Sequence, residues 1–443
     1  QALDAQAQAE KSATEAKSAQ AQAETSAAEA ARQRELSDKN ATLAKEQEQQ
    51  ARREREYAQQ LRFKAIAQAM AVKSRQLEDT LLQARLAYQA YRFNQTYNKG
   101  LLDADIYSAL HDARRKLEGE AFNAFVGHGD VVNRLAVAGN KLYTVSHDGR
   151  CFRWDLSSQQ GAPVFESKHL LREIALKPGS EEWAAGTQDG LILLPSAQGL
   201  PTNVPAHPGG VWGLLFSPDG QSLVSFGADY ALRCRKADGS GAYTIAQLGQ
   251  PLRSVVWGKQ GKLLGLLNDG SVGAWHLAAS ADSVRLVPPQ GAERGRSLAL
   301  SNDGETLAIG MASGKVLLWD LPGRKAKQVL GGHSAAVSQI AFSPDGRWMA
   351  TASFDGSVLL WDLEKLAAPA AIFGNDEGWV WSVAFSADSR QVVAASGQGD
   401  VRRYALDLGT HAEALAKQLK RPLDATEWGQ YVGKDIPYAP AAP

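Results

Sequence analysis

The chain has 443 residues, and its 48 basic and 48 acidic side chains give a formal net charge of zero. That length allows more than one domain, and the balance argues against a surface that attracts nucleic acid or anionic membrane as a whole. Two cysteines, Cys151 and Cys234, cannot form a disulfide framework and lack zinc-site spacing, so no metal and no cofactor is expected.

The chain opens on Gln1 rather than methionine, which suggests a processed or partial product, and it holds no apolar run long enough to span a bilayer. The first glycine is Gly100 and the first proline Pro163. A breaker-free stretch rich in Ala, Gln, Glu, Lys and Arg reads as helix by propensity. Residues 1–75 are therefore expected to form one long helix. Leu36, Leu43 and Tyr57 share a seven-residue phase, with Gln50 in the gap and alanine at most other seam positions. This makes the helix a candidate coiled coil, though a weak one, because alanine buries little. The alternative is a solvated, partly frayed helix.

From Leu61 the texture turns amphipathic. Leu61, Ile66, Met70 and Val72 fall near one stripe, and Leu81, Leu82, Leu86, Tyr88 and Tyr91 continue it beyond a break at Gln76–Asp79. After the Asn98–Gly100 turn a further helix is predicted over Ala104–Leu117, capped by Asp103. Residues 76–118 are thus read as a short helical neck.

Beyond Gly127 a pattern recurs about every 40 residues, the length of one propeller blade. A turn position falls at Gly149, Gly190, Tyr230, Gly270, Gly314, Gly356 and Gly399, with gaps of 41, 40, 40, 44, 42 and 43 residues. Six of the seven are glycine, as a turn demanding positive φ prefers. Five residues later stand Trp154, Pro195, Arg235, Trp275, Trp319, Trp361 and Tyr404. Residues 119–409 are accordingly predicted to be an all-β propeller of seven blades, preceded by the α-helical region. Residues 410–443 are read as a tail packing on the propeller.

These repeats resemble the WD40 family of propellers. The resemblance implies a hydrogen-bonded tetrad of His, Ser or Thr, Asp and Trp within a blade. Two complete sets are present: His128, Thr144, Asp148 and Trp154, and His333, Thr351, Asp355 and Trp361. A third, His207, Ser225 and Asp229, has Arg235 at the tryptophan position. His beside Asp can signal acid–base or metal chemistry, but recurrence at a structural position favours a satisfied polar staple. Ala121–Val126 matches the outer-strand segment of a repeat, so it is expected to complete the last blade and remove its open edge. The helical run 81–95 and the tail resemble segments that flank propellers in bacterial signal-transduction NTPases of the STAND type. That resemblance implies an upstream module, in some relatives a membrane span, and a bacterial cytoplasmic or periplasmic location.

Aligning the repeats on Leu135, Ile174, Leu214, Val255, Leu298, Ile340 and Val383 places Asn133, Arg172, Trp212, Arg253, Arg296, Ser338 and Trp381 two residues earlier. The resemblance implies that this position faces a partner, with His147, Phe354 and Trp379 on neighbouring loops. Arg and Trp dominate binding hot spots, and arginine offers a planar fork to carboxylate or phosphate. The candidate partner-binding residues are Arg172, Trp212, Arg253, Arg296 and Trp381 with those three loop residues. A protein or peptide partner with an acidic or phosphorylated segment would suit them. The bland alternative is local ion pairing and packing between blades. No catalytic residue is assigned, because the ring lacks a converging carboxylate pair. The reading is a non-enzymatic interaction scaffold whose helix oligomerises it or joins it to an upstream module. A small-molecule enzyme and a nucleic-acid-binding propeller are the alternatives.

Overall fold

The computed structural model describes residues 2–119, 122–196, 199–277, 284–367, 369, 371–374 and 378–441. Two compact units divide at Ala65–Ile66. Helix α1 (Ala2–Arg75) supplies the whole of the first unit. Leu36, Leu43 and Tyr57 within it are 59%, 53% and 63% exposed.

The second unit begins with the last turns of α1 and continues through α2 (Thr80–Tyr97) and α3 (Ala104–Glu118). Asp79 caps α2 through Leu82 N, and Asp103 caps α3 through Asp105 N and Ile106 N. These caps satisfy the orphan amides of each first turn. The predicted apolar stripe needs correction. Met70 and Leu86 are buried, but Leu61, Val72 and Leu81 are 49%, 43% and 49% exposed. Small residues, Ala67, Ala71, Ser74, Ala84, Ala87 and Ala90, share the buried face with Met70, Leu86, Tyr88 and Phe93. Small side chains let helices approach closely, so the buried face is rotated from the predicted stripe and leaves Leu61, Val72 and Leu81 outside it.

The seven blades span 132–166, 171–205, 211–247, 252–287, 295–330, 337–374 and 380–405. Each is a four-stranded antiparallel sheet, and the fourth strand of blade 7 is Ala124–Phe125 from before blade 1. Ala124 pairs with Arg402 and Phe125 with Val401; Ala121 lies outside the described residues. The first strand of each blade touches the first strand of the next, and that of blade 7 meets blade 1. The ring is closed. Phe125, Trp154, Leu156, Val393 and Val401 share one buried cluster across the seam. All seven turn positions adopt positive φ, from 60° at Tyr230 to 95° at Gly190.

The tail forms α4 (Leu408–Ala416) and α5 (Ala425–Tyr431). Helix α4 lies between α3, α2 and the third strand of blade 7. Beyond it the tail packs on α2 rather than on the propeller. Trp428 meets Phe93 with ring centroids 6.1 Å apart, Glu427 binds Arg85 at 2.7 Å, and Ala441 N donates to Gln89 Oε1 at 2.7 Å. The two ends of the second unit therefore form one helical cluster beside blades 6 and 7, where Tyr107 packs edge-on against Phe373 at 4.8 Å.

Candidate partner-binding face

The innermost strand of every blade carries a β-bulge at its second residue. Register jumps from Val132 to Arg134, Leu171 to Glu173, Val211 to Gly213 and Leu252 to Ser254. The same step separates Gly295 from Ser297, Val337 from Gln339 and Val380 from Ser382. A bulged residue has no cross-strand partner, and the bend re-aims its side chain. The residues passed over are Asn133, Arg172, Trp212, Arg253, Arg296, Ser338 and Trp381. All seven line one cavity of about 310 Å³ at the channel mouth, together with Phe354.

Two of these side chains serve the scaffold. Asn133 Nδ2 donates to Leu171 O at 2.7 Å and Ser338 Oγ to Val380 O at 2.6 Å, each tying a blade to its neighbour. The other five are Arg or Trp. Arg253 donates to Asn268 Oδ1 at 2.7 and 3.0 Å and lies 5.7 Å from the Trp212 ring centroid. Burial first, then the charges of Arg296 and Arg294, work against its cationic form, a strain that an anion would relieve. Arg172 is likewise pushed down by burial, with only Glu173 opposing. Neither Arg172 nor Arg296 forms a hydrogen bond or ion pair with another described residue. Four arginines line the cavity against one carboxylate, Glu173, leaving three positive charges in excess.

Of the loop residues, Phe354 reaches the cavity, whereas Trp379 and His147 do not line it. Trp379 lies beside it, 55% exposed, with its ring 5.1 Å from Phe354 and 5.9 Å from Trp381. These three aromatics form a continuous apolar patch on blades 6 and 7. His147 Nε2 is buried without a hydrogen-bond partner; burial lowers its pKa, Asp130 opposes and Arg172 reinforces.

Sequence reasoning passed over a second ring, one residue deeper in each inner strand. Arg134 holds Glu173 through both carboxylate oxygens at 2.7–3.0 Å, bridging blades 1 and 2. Ser297 Oγ donates to Val337 O at 2.9 Å, linking blades 5 and 6. Ser382 Oγ donates to Gln339 Oε1 at 2.6 Å and accepts from Leu135 N at 3.1 Å, so it joins blade 6 to 7 and 7 to 1. Blade 3 has Gly213 here, because a Cβ would run into the Phe226 ring. The available signal was the polar residue preceding six of the seven aligned apolar ones, Gly213 being the exception.

The tetrads are structural. In blade 1 His128 bridges Asp148 at 3.0 Å and Thr144 at 2.7 Å, and Trp154 Nε1 donates to Thr144 Oγ1 at 2.8 Å. In blade 6 His333 bridges Asp355 and Thr351 at 3.1 and 2.8 Å, with Trp361 Nε1 on Thr351 at 3.1 Å. Burial is the main cause lowering the pKa of His128, His207 and His333, against the opposing pull of Asp148, Asp229 and Asp355. In blade 3 Arg235 fills the tryptophan place, 2% exposed, with both Nη atoms 3.4 Å from Pro205 O. Cys151 and Cys234 are buried free thiols. Among the described residues no group of three or more His, Cys, Asp or Glu could hold a metal ion, and no helix is long and apolar enough to cross a membrane.

Closed ring, repeat register and tetrads define a seven-bladed β-propeller domain similar to WD40-repeat propellers. The family model for the WD domain, G-beta repeat, matches residues 199–234, 324–362 and 368–404. Each matched stretch takes in the outer strand of one blade and inner strands of the next, the same stagger by which Ala124–Phe125 closes blade 7. The chain is similar to the solved WD40 β-propeller domain of Doa1, with a TM-score of 0.57 and 20% identity over 64% of this chain and 95% of that one. That likeness bears on the fold.

Proposed function

We propose that the chain is a non-enzymatic interaction scaffold whose propeller captures a protein or peptide partner at the bulge-ring mouth. The observation that carries this reading is that the bulge residues not used between blades are all Arg or Trp and share one cavity. Arginine and tryptophan concentrate binding energy, and three excess positive charges favour an acidic or phosphorylated segment. Apolar residues flanking that segment would rest on Phe354, Trp379 and Trp381. An enzymatic reading finds little support, since Glu173 is already held by Arg134 and has no second carboxylate in the lining. Affinity capture with the chain and with Trp212→Ala and Trp381→Ala variants tests the proposal. The variants should keep the circular dichroism of the parent and lose the captured partner; equal capture would remove this face from consideration.

The flanking segments support, as part of the same proposal, a link to an upstream signalling module in a bacterial protein, cytoplasmic or periplasmic and in some arrangements membrane-tethered. Helix α1 would join the propeller to that module or pair with a second copy through its seven-residue phase. Light scattering of the chain and of residues 66–443 tests the pairing. A larger assembly that shrinks to a monomer on truncation supports it, and monomers in both cases exclude it.

A further inference from the structure

At the end of the blades opposite the bulges lies a second cavity, about 860 Å³, framed by α3, α4 and turns of blades 6 and 7. Arg114, Arg347, Arg390 and Arg403 line it against two carboxylates, Asp388 and Asp407. Both carboxylates are engaged locally. Asp388 accepts from Ser386 Oγ at 2.6 Å and Arg390 N at 3.0 Å, and Asp407 caps α4 through Gly409 N and Thr410 N, each at 3.1 Å. Neither forms an ion pair with an arginine among the described residues. The Arg390 guanidinium is exposed and makes no hydrogen bond with a described residue, while Arg347 lies 4.6 Å over the Trp348 ring and 3.7 Å from Asp362. In the same lining Gln391 Oε1 is buried with no hydrogen-bond partner. Native structures rarely leave such an acceptor unmet.

We propose that this cavity binds a small organic anion that carries a phosphate or carboxylate together with a hydroxyl or amino donor. The acidic group accepts from Arg390 and Arg347, and the donor satisfies Gln391 Oε1. A cavity of this size suits a metabolite-sized ligand. Burial and the charge of Arg114 work against the cationic form of Arg403, which an anion in the cavity would ease. Arg403 reaches from blade 7 to Ser157 O and Gln159 Oε1, each at 3.2 Å, beyond the third strand of blade 1. Asn123, just before the closing strand, also lines the cavity. Occupancy therefore tightens ring closure, and binding to the folded state alone raises stability.

The test uses the full chain, titrated by calorimetry with ribose 5-phosphate, citrate and inorganic phosphate, with thermal unfolding alongside. One of the first two probes should saturate a single site and raise the unfolding midpoint, and which of them does so separates phosphate from carboxylate recognition. Arg390→Ala should weaken it about tenfold, as expected for losing one charge-assisted hydrogen bond. Gln391→Leu should weaken the hydroxylated probe and leave inorganic phosphate unchanged, whereas Arg296→Ala at the opposite mouth should change nothing. Absence of saturable binding by any probe overturns the proposal. So does binding that survives Arg390→Ala and disappears with Arg296→Ala.

Discussion

Acid should loosen this protein through one buried ring, His411. The imidazole is 2% exposed, its Nε2 lies 3.2 Å from Tyr107 Oη and 3.3 Å from Ala405 O, and Arg114 Nη1 approaches Nδ1 at 3.4 Å. Burial first, then repulsion from His111, Arg114 and Arg403, pushes its pKa down from 6.5 to about 3, with only Ala405 O favouring the charged form. A histidine depressed on folding contributes stability that is complete above its unfolded pKa and is lost as pH falls towards the folded one. At about 1.4 kcal/mol per unit the whole window is worth roughly 5 kcal/mol, of which about 2 kcal/mol disappears between pH 7.5 and pH 5. His411→Gln keeps a donor for Ala405 O and cannot titrate. Urea unfolding followed by tryptophan fluorescence at the two pH values should show the parent losing about 2 kcal/mol more than the variant. The tetrad histidines also shift downward, but they are common to both proteins and cancel in the difference. Parallel losses in the two proteins would refute the reasoning and place the acid sensitivity elsewhere.

Other consequences follow from the ring and its staples. Trp361→Phe leaves Thr351 without its indole donor, whereas Trp319→Phe removes an indole N–H that is already buried and unpartnered. Denaturant midpoints should therefore show the first costing roughly 1–2 kcal/mol more than the second. Glu173→Gln strips the charge partner from Arg134 and should cost about 3–5 kcal/mol in the same assay, with the double change Arg134→Met, Glu173→Leu recovering most of it. Phe125→Ala empties a site 1% exposed beside Trp154 and should cost roughly 3–5 kcal/mol. Limited proteolysis of that variant should cut first near the closing strand; an unchanged pattern would mean that α3 and α4 hold the ring shut without it.

What could be read from residues alone was whatever is settled within one blade. A turn at Gly356 needs positive φ, and His333, Thr351, Asp355 and Trp361 meet inside a single sheet, so both leave a mark at fixed spacing. The bulge residues were found for the same reason: Trp212 and Trp381 hold the same place in the repeat. That the place is a bulge was not legible, because a skipped pairing depends on the neighbouring strand. Arg134 and Glu173 belong to different blades, and nothing in either repeat announces the other until the blades stand side by side. The helices and the Asp103 cap were legible, but the buried face only in part. Of the predicted stripe Met70, Leu86 and Tyr88 are buried while Leu61, Val72 and Leu81 are exposed, and alanines share the buried faces of α2 and α3 with Phe93, Ile106, Tyr107 and Leu110. Of the tail expected on the propeller, α4 does meet the third strand of blade 7, whereas Trp428 beyond it packs on Phe93 of α2. Local backbone and hydrogen-bonding demands are written in short-range spacing, so the sequence by itself determined seven repeats and their staples. Pairings between blades and between the two ends of the chain arise only when the ring closes, and those the tertiary structure decided.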